Sequence, residues 1–214
     1  MSRFKAALAA SLPIVLAACS TEGQITSTGV TVVRSACPAV AIPAATGDIT
    51  LFNPEASREA AAIDVVAEMT NVRATCDEVA TGETIVSSVS FDVLAQRRDA
   101  RGARDVVLPY FAVVMQGGTN VVSKSTGRVG LHFEDGQLRA QTSGAATGSI
   151  ARAAVTLPED VRRQITRERK PGDADAAIDP LSDPKVREAV RSASYEVLVG
   201  FQLTHDQLAY NATR

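Results

Sequence analysis

Apolar and polar side chains alternate residue by residue over much of this chain, in short segments separated by turn residues. Successive side chains of a strand point to opposite faces, so alternation of this kind sets one face on a core and the other in water. Ile63, Val65, Ala67 and Met69 share one side of a segment predicted as a strand through Cys76. Ile85, Ser87, Val89, Phe91 and Val93 do so less cleanly within Glu83 to Leu94, and Val129, Leu131 and Phe133 within Gly127 to Phe133. Asp48 to Phe52 is a shorter β-rich run. Val106 to Met115 is almost continuously apolar and carries Tyr110 and Phe111, which predicts a central strand buried on both faces. Pro109 inside it lacks a ladder donor and predicts a bulge or an edge. Gly117-Gly118 turns the chain into Asn120 to Lys124, and Glu134-Asp135-Gly136 closes the strand ending at Phe133. Gln137 to Gln141, Gly148 to Leu157 and Tyr195 to Leu203 are the remaining strand segments.

Many short strands with turns between them predict a mainly β fold, a two-sheet sandwich of immunoglobulin or fibronectin type III character. Aromatic residues are 4% of the chain and Trp is absent, so the core must be built from Val, Ile, Ala and Leu. One stretch, residues 158–193, breaks the pattern as a helical excursion before the last strand. Pro158, Glu159 and Asp160 suit a first helical turn, Val161 and Ile165 share a face, and Arg167, Arg169 and Lys170 suit the C-terminal dipole before Pro171-Gly172. Asp183-Pro184 opens a second helix with Val186 and Val190 four apart. Thr204 and Gln207 fit a capping box with Leu203 and Leu208 as its staple, predicting a short capped turn of helix over residues 204–210.

The N-terminus follows other rules. Arg3 and Lys5 precede an apolar run from Ala6 to Val15, and Leu16-Ala17-Ala18-Cys19 follows at once. Charge, short apolar run and small residues in that order read as a cleavable export signal, and the run is shorter than the roughly 20 residues a spanning helix needs. The tetrapeptide resembles the lipobox of bacterial lipoproteins. That resemblance implies a signal peptide over residues 1–18, a diacylglyceryl thioether on Cys19, cleavage by signal peptidase II and acylation of the new amino group. Buried acyl chains contribute about 0.8 kcal/mol per CH₂, and two chains already anchor stably. The alternative is an ordinary secretory signal in which Cys19 is incidental. Ser20 stands where an Asp would imply retention in the inner membrane, so the resemblance implies the outer membrane, facing the periplasm. Residues 19–36, rich in Thr, Ser and Gly, read as a lipidated tether, and residues 37–214 as the sandwich domain. In an oxidising compartment Cys37 and Cys76 form an even pair that reads as a disulfide, with two free buried thiols as the alternative. Without a Trp to pack on it, the pair need not be the central bridge of antibody domains. The ending Tyr195-Glu-Val-Leu-Val-Gly-Phe-Gln-Leu-Thr, with Leu208, Ala209, Tyr210 and Asn211, resembles that of a group of uncharacterised proteobacterial lipoproteins, which implies no activity.

Candidate chemistry is sparse. The net charge of −2 becomes −4 once residues 1–18, with Arg3 and Lys5, are removed, which gives no electrostatic case for nucleic acid. Nucleophile-elbow, zinc-protease and phosphate-loop motifs are all missing. Neither Cys37 nor Cys76 sits in a Cys-x-x-Cys motif. Asp173, Asp175, Asp179 and Asp183 form an acidic cluster, but Ala177 and Ile178 spoil the match to a Ca²⁺ loop, so capped and solvated carboxylates are expected. Arg97, Arg98, Arg101 and Arg104 fall between two strands, interleaved with Asp99 and Asp105, where a loop could touch an anionic ligand; a soluble turn is the plainer reading. His132 is expected to face outward beside Glu134, and His205 to lie in the first turn of the tail helix. No catalytic residue, metal site or cofactor is assigned. The expected role is a non-catalytic binding or structural module for an envelope protein or cell-wall polymer. The rivals are an envelope hydrolase built on a distant acid pair or metal, and an accessory subunit of a secretion or appendage machine.

Overall fold

The computed structural model describes residues 37–76, 82–167, 169–170 and 172–213, together with the backbone of two short paired strands, β1 (Gln24–Thr26) and β2 (Gly29–Thr31). The signal peptide expected over residues 1–18 and Cys19 lie outside the described residues. Eight further strands follow: β3 (Ala39–Ala41), β4 (Asp48–Phe52), β5 (Ile63–Cys76), β6 (Thr84–Arg97), β7 (Arg104–Gln116), β8 (Asn120–Phe133), β9 (Arg139–Ala151) and β10 (Tyr195–Phe201). They form two four-stranded sheets, in the orders β3-β10-β7-β8 and β4-β5-β6-β9. Every pairing is antiparallel except β3 with β10.

The alternation predicts what is buried. Val65, Ala67 and Met69 of β5 face Val129, Leu131 and Phe133 of β8 and Val197, Val199 and Phe201 of β10 in one shared core, together with Ile85, Val89, Phe91 and Val93 of β6. Glycine lets the large rings enter. Gly144 of β9 stands opposite Phe91, whose ring covers it and leaves no room for a Cβ, and Gly127 of β8 lies under Tyr110 in the same way. Tyr110 then spans the sandwich, packing edge-on to Phe91 at 5.0 Å and donating from its hydroxyl to Ala145 O at 2.7 Å.

Some expectations need correction. Asn120 to Lys124 and Gly127 to Phe133 are one strand, β8, because the glycine between them is covered rather than turned. Gln137 to Gln141 and the start of Gly148 to Leu157 likewise join in β9, paired with β6 from Arg139 to Ala151. Pro109 makes neither a bulge nor an edge. Its carbonyl accepts from Gln202 N at 2.9 Å, so its missing N–H would point to that same side, beyond the last β10 pair at Phe201–Tyr110. The bulge falls at Val114/Met115 instead. β7 is also not buried on both faces: Pro109, Phe111, Val113 and Met115 are only half-buried and Val107 is 59% exposed.

Helices α1 (Glu159–Thr166) and α2 (Pro184–Ser192) lie between β9 and β10, and α2 is capped by the Asp183 side chain accepting from Lys185 N at 2.8 Å. The tail helix α3 (His205–Thr213) is longer than one turn. Its capping box is formed: Thr204 N donates to Gln207 Oε1 at 2.9 Å, and Gln207 N to Thr204 Oγ1 at 3.2 Å. Leu208 of the expected staple is 41% exposed. What holds α3 down is Asn211, whose Nδ2 donates to Ala45 O and Asp48 O at 2.9 and 2.8 Å, and Tyr210, edge-on to Phe52 at 5.1 Å.

Cys37 and Cys76 are disulfide-bonded, with Cα atoms 5.7 Å apart. The bridge ties the lead into β3, at the edge of one sheet, to the last residue of β5 in the other. The β7–β8 turn and the helical excursion lie at this same end of the sandwich, while the β6–β7 loop and the β8–β9 turn lie at the opposite one.

Candidate functional site

The four arginines around the β6–β7 loop part company in the folded protein. Arg97 ends β6 with its side chain inside the protein, 2% exposed. Its Nε donates to Gln137 O at 2.7 Å, one terminal nitrogen to Gly102 O at 2.7 Å, and the other to Ala100 O and Glu134 O at 2.6 and 2.8 Å. The guanidinium also lies 5.3 Å from the centre of the Phe133 ring. Gly102 N bonds Asp135 Oδ1 at 2.6 Å and Gly136 N bonds Ala100 O at 2.8 Å, so the β6–β7 loop and the β8–β9 turn are laced around one buried cation. Arg97 is therefore no ligand contact.

Arg98 reaches the carbonyls of Ala60 and Ala61 and pins a 3₁₀ turn. Arg104 makes a two-pronged bond to the Asp64 carboxylate at 2.8 and 2.7 Å, which raises its own pKa. Arg101, its side chain 90% exposed, folds back on Asp99 and, with its backbone N–H, holds that carboxyl down to about 2. Arg97 and Arg98 thus bind backbone carbonyls and Arg101 and Arg104 neighbouring carboxylates, Arg101 being the more exposed of the latter two, 90% against 44%.

His132 faces outward beside Glu134, as alternation requires. The register of β7 with β8 adds a partner that sequence reading missed: His132 stands opposite Asp105, with Nδ1 2.7 Å from Asp105 Oδ1 and Nε2 3.5 Å from Glu134 Oε1. The hydrogen bond to Asp105 raises the imidazole pKa, against a smaller opposing cost of desolvation. This cluster sits on an open sheet face with half of the imidazole side chain exposed. Among the described residues, no three His, Cys, Asp or Glu side chains are arranged to hold a metal ion.

The acidic cluster is spent on the backbone. Asp179 and Asp183 cap Leu181 N and Lys185 N, Asp173 accepts from Lys170 N at 3.0 Å, and Asp175 pairs with Arg167 and Arg169. A cleft of about 530 Å³ runs between these loops and α1, lined by Arg163, Arg167, Asp175 and Asp183 among others. A smaller one of about 260 Å³ sits at the base of the β7–β8 turn, lined by Gln116, Asn120 and Arg191. His205 is exposed at the start of α3.

A more distinctive surface is the outer face of the β3-β10-β7-β8 sheet. Val107, Pro109, Phe111, Val113 and Met115 form a row along β7, extended sideways by Leu198 on β10 and by Val121 on β8, which is 58% exposed. Phe111 leans over Gly200, which leaves it room by having no side chain. Lys124, 5.5 Å above the Phe111 ring, and Arg128 opposite Pro109 border the row. The row ends at Gln116, whose side chain donates to Ala154 O and Ser192 O of the helical excursion at 2.7 and 2.9 Å. Alternation did place these residues, but the apolar run in β7 led to the expectation that they would be covered.

Compared with protein families, with curated proteins and with solved structures, the chain matches none. Its geometry defines a class of its own accord: a two-sheet β-sandwich with tightly laced loops at one end and a partly exposed apolar strip on one sheet.

Proposed function

We propose that this chain is a lipid-anchored lipoprotein of the outer membrane, facing the periplasm, whose sandwich is a non-catalytic binding module for another envelope protein or a cell-wall polymer. The apolar strip on the outer face of β7 carries the reading. Antiparallel sheets that face water usually present polar residues there, and a contiguous apolar patch marks an interaction site. The lipobox-like Leu16-Ala17-Ala18-Cys19 supports the anchor, and the Cys37–Cys76 bridge suits an oxidising compartment.

The sandwich is read further as immunoglobulin-like. β6 pairs with β9 in one sheet and β7 with β10 in the other, as strands B and E, and C and F, do in that fold. β5 then stands as A and β8 as C′. The place beside F is taken by β3, which arrives from the N-terminal side and runs parallel.

Two experiments test this. Globomycin treatment, or Cys19→Ala, is expected to leave an unprocessed precursor, whereas an unchanged membrane-bound mature form would end the anchor reading. Co-purification from detergent-solubilised envelopes is expected to yield a partner or polymer that the Val107→Glu/Met115→Glu variant no longer retains. Retention by that variant would show that the strip is not the binding surface.

A further inference from the structure

We propose that the free edge of β8 accepts an extended acidic segment of a partner protein, which adds to the sheet as a further strand. The inference rests on the reading of the sandwich as a binding module and supplies the chemistry of what it binds. β8 is the last strand of its sheet, hydrogen-bonded to β7 alone, and among the described residues no strand pairs with its other edge. From Asn120 to Thr126 every residue is exposed, while Ala112 and Val114, opposite Ser125 and Ser123 on β7, are buried, so this half of β8 lies at the rim of the sheet. An open edge of this kind presents a row of N–H and C=O groups ready to pair with another chain. In strand addition those main-chain bonds give affinity, and side chains alternating across the edge give specificity.

Charge selects the occupant. Lys124 and Arg128 lie on the same face of β8, four residues and therefore about 13 Å apart. Neither meets a carboxylate among the described residues, whereas His132 further along this face is already held by Asp105 and Glu134. Carboxylates spaced four residues apart on an added strand would stand opposite both cations, and opposite charges facing across a ladder stabilise it. Antiparallel pairing with a second copy centred on Thr126 would instead set Lys124 against Arg128, so charge disfavours self-pairing. Val121, beside Met115, offers an apolar contact at the start of the same strand.

The probe is a ten-residue peptide alternating Val and Glu, compared with its Val and Lys counterpart, added to the full chain in detergent. The Val/Glu peptide is expected to bind and to slow amide hydrogen exchange across residues 120–128. The Val/Lys peptide should bind about tenfold more weakly, the size expected for two opposed cross-strand charge pairs. Lys124→Glu/Arg128→Glu, at two exposed positions, should reverse the preference. Equal binding of the two peptides, binding of neither, protection confined to other strands, or self-association through the same amides would each overturn the proposal. Should Val107→Glu/Met115→Glu keep its envelope partner while peptide binding persists, the strip reading fails and this one stands.

Discussion

A buried guanidinium is costly unless its donors are met, and Arg97 offsets that cost with carbonyls from two separate loops. Two of those carbonyls, Ala100 O and Glu134 O, also accept from Gly136 N and Gln137 N, so the cation adds to the turns' own bonds in holding the two loops together. Truncating Arg97 leaves the carbonyls of Ala100, Gly102, Glu134 and Gln137 without this donor and opens a cavity beside Phe133. Arg97→Ala should therefore lose about 3 kcal/mol or more of unfolding free energy. Arg101→Ala, at an exposed side chain, should stay within about 0.5 kcal/mol of the parent. Urea unfolding followed by circular dichroism separates the two, and equal midpoints would contradict the lacing role. Sequence could count these arginines but not sort them. Position 97 fits the inward parity of β6, so the strand, had it been extended past Leu94, would have pointed this charge into the core.

At the scale of strands and helices, much was legible. β4 and β5 span the predicted segments Asp48 to Phe52 and Ile63 to Cys76, and in β5 the buried parity of Val65, Ala67 and Met69 holds up to a bulge between Thr70 and Arg73. The middle of β9 was not legible, since Thr142 to Thr147 holds small residues whose strand character comes from lying against β6 and under Phe91. Partners across a ladder were hidden too: the His132–Asp105 pair depends on the β7–β8 register, which a bulge at Val114/Met115 shifts. That pair gives the sandwich a pH dependence. Asp105 raises the folded-state pKa of His132, so the imidazolium's contribution is fully present below its ordinary value of 6.5 and fades as pH rises through the higher folded value. Chemical-shift titration of His132 should give a pKa above 6.5 that drops towards it in Asp105→Asn. An unshifted titration in the parent protein would show that the pair does not form in solution.

For the whole molecule, the unusual step is how the chain closes its sandwich. The edge beside β10 is filled by β3, only three residues long and parallel, and so a weak strand in isolation. Two connections compensate. Phe201 N donates to Thr46 O at 2.8 Å just beyond β3, and the disulfide fixes the residues before it to the end of β5, thirty-nine positions away in sequence. A cross-link closing a loop of that length stabilises by about 4 kcal/mol through the entropy it removes from the unfolded chain. In a protein of this size that amounts to roughly 8–16 °C in Tm. Cys37→Ser/Cys76→Ser should show this loss in thermal unfolding. Because β3 pairs with β10 alone among the described residues, its release should come first: hydrogen exchange at Glu196 to Leu198 should accelerate well below Tm while the β5–β6 and β7–β8 ladders remain protected. If the double variant unfolds at the parent temperature with β10 equally protected, the bridge is not what keeps β3 in the sheet, and the contacts of Thr46 and α3 would have to hold that side of the sandwich alone.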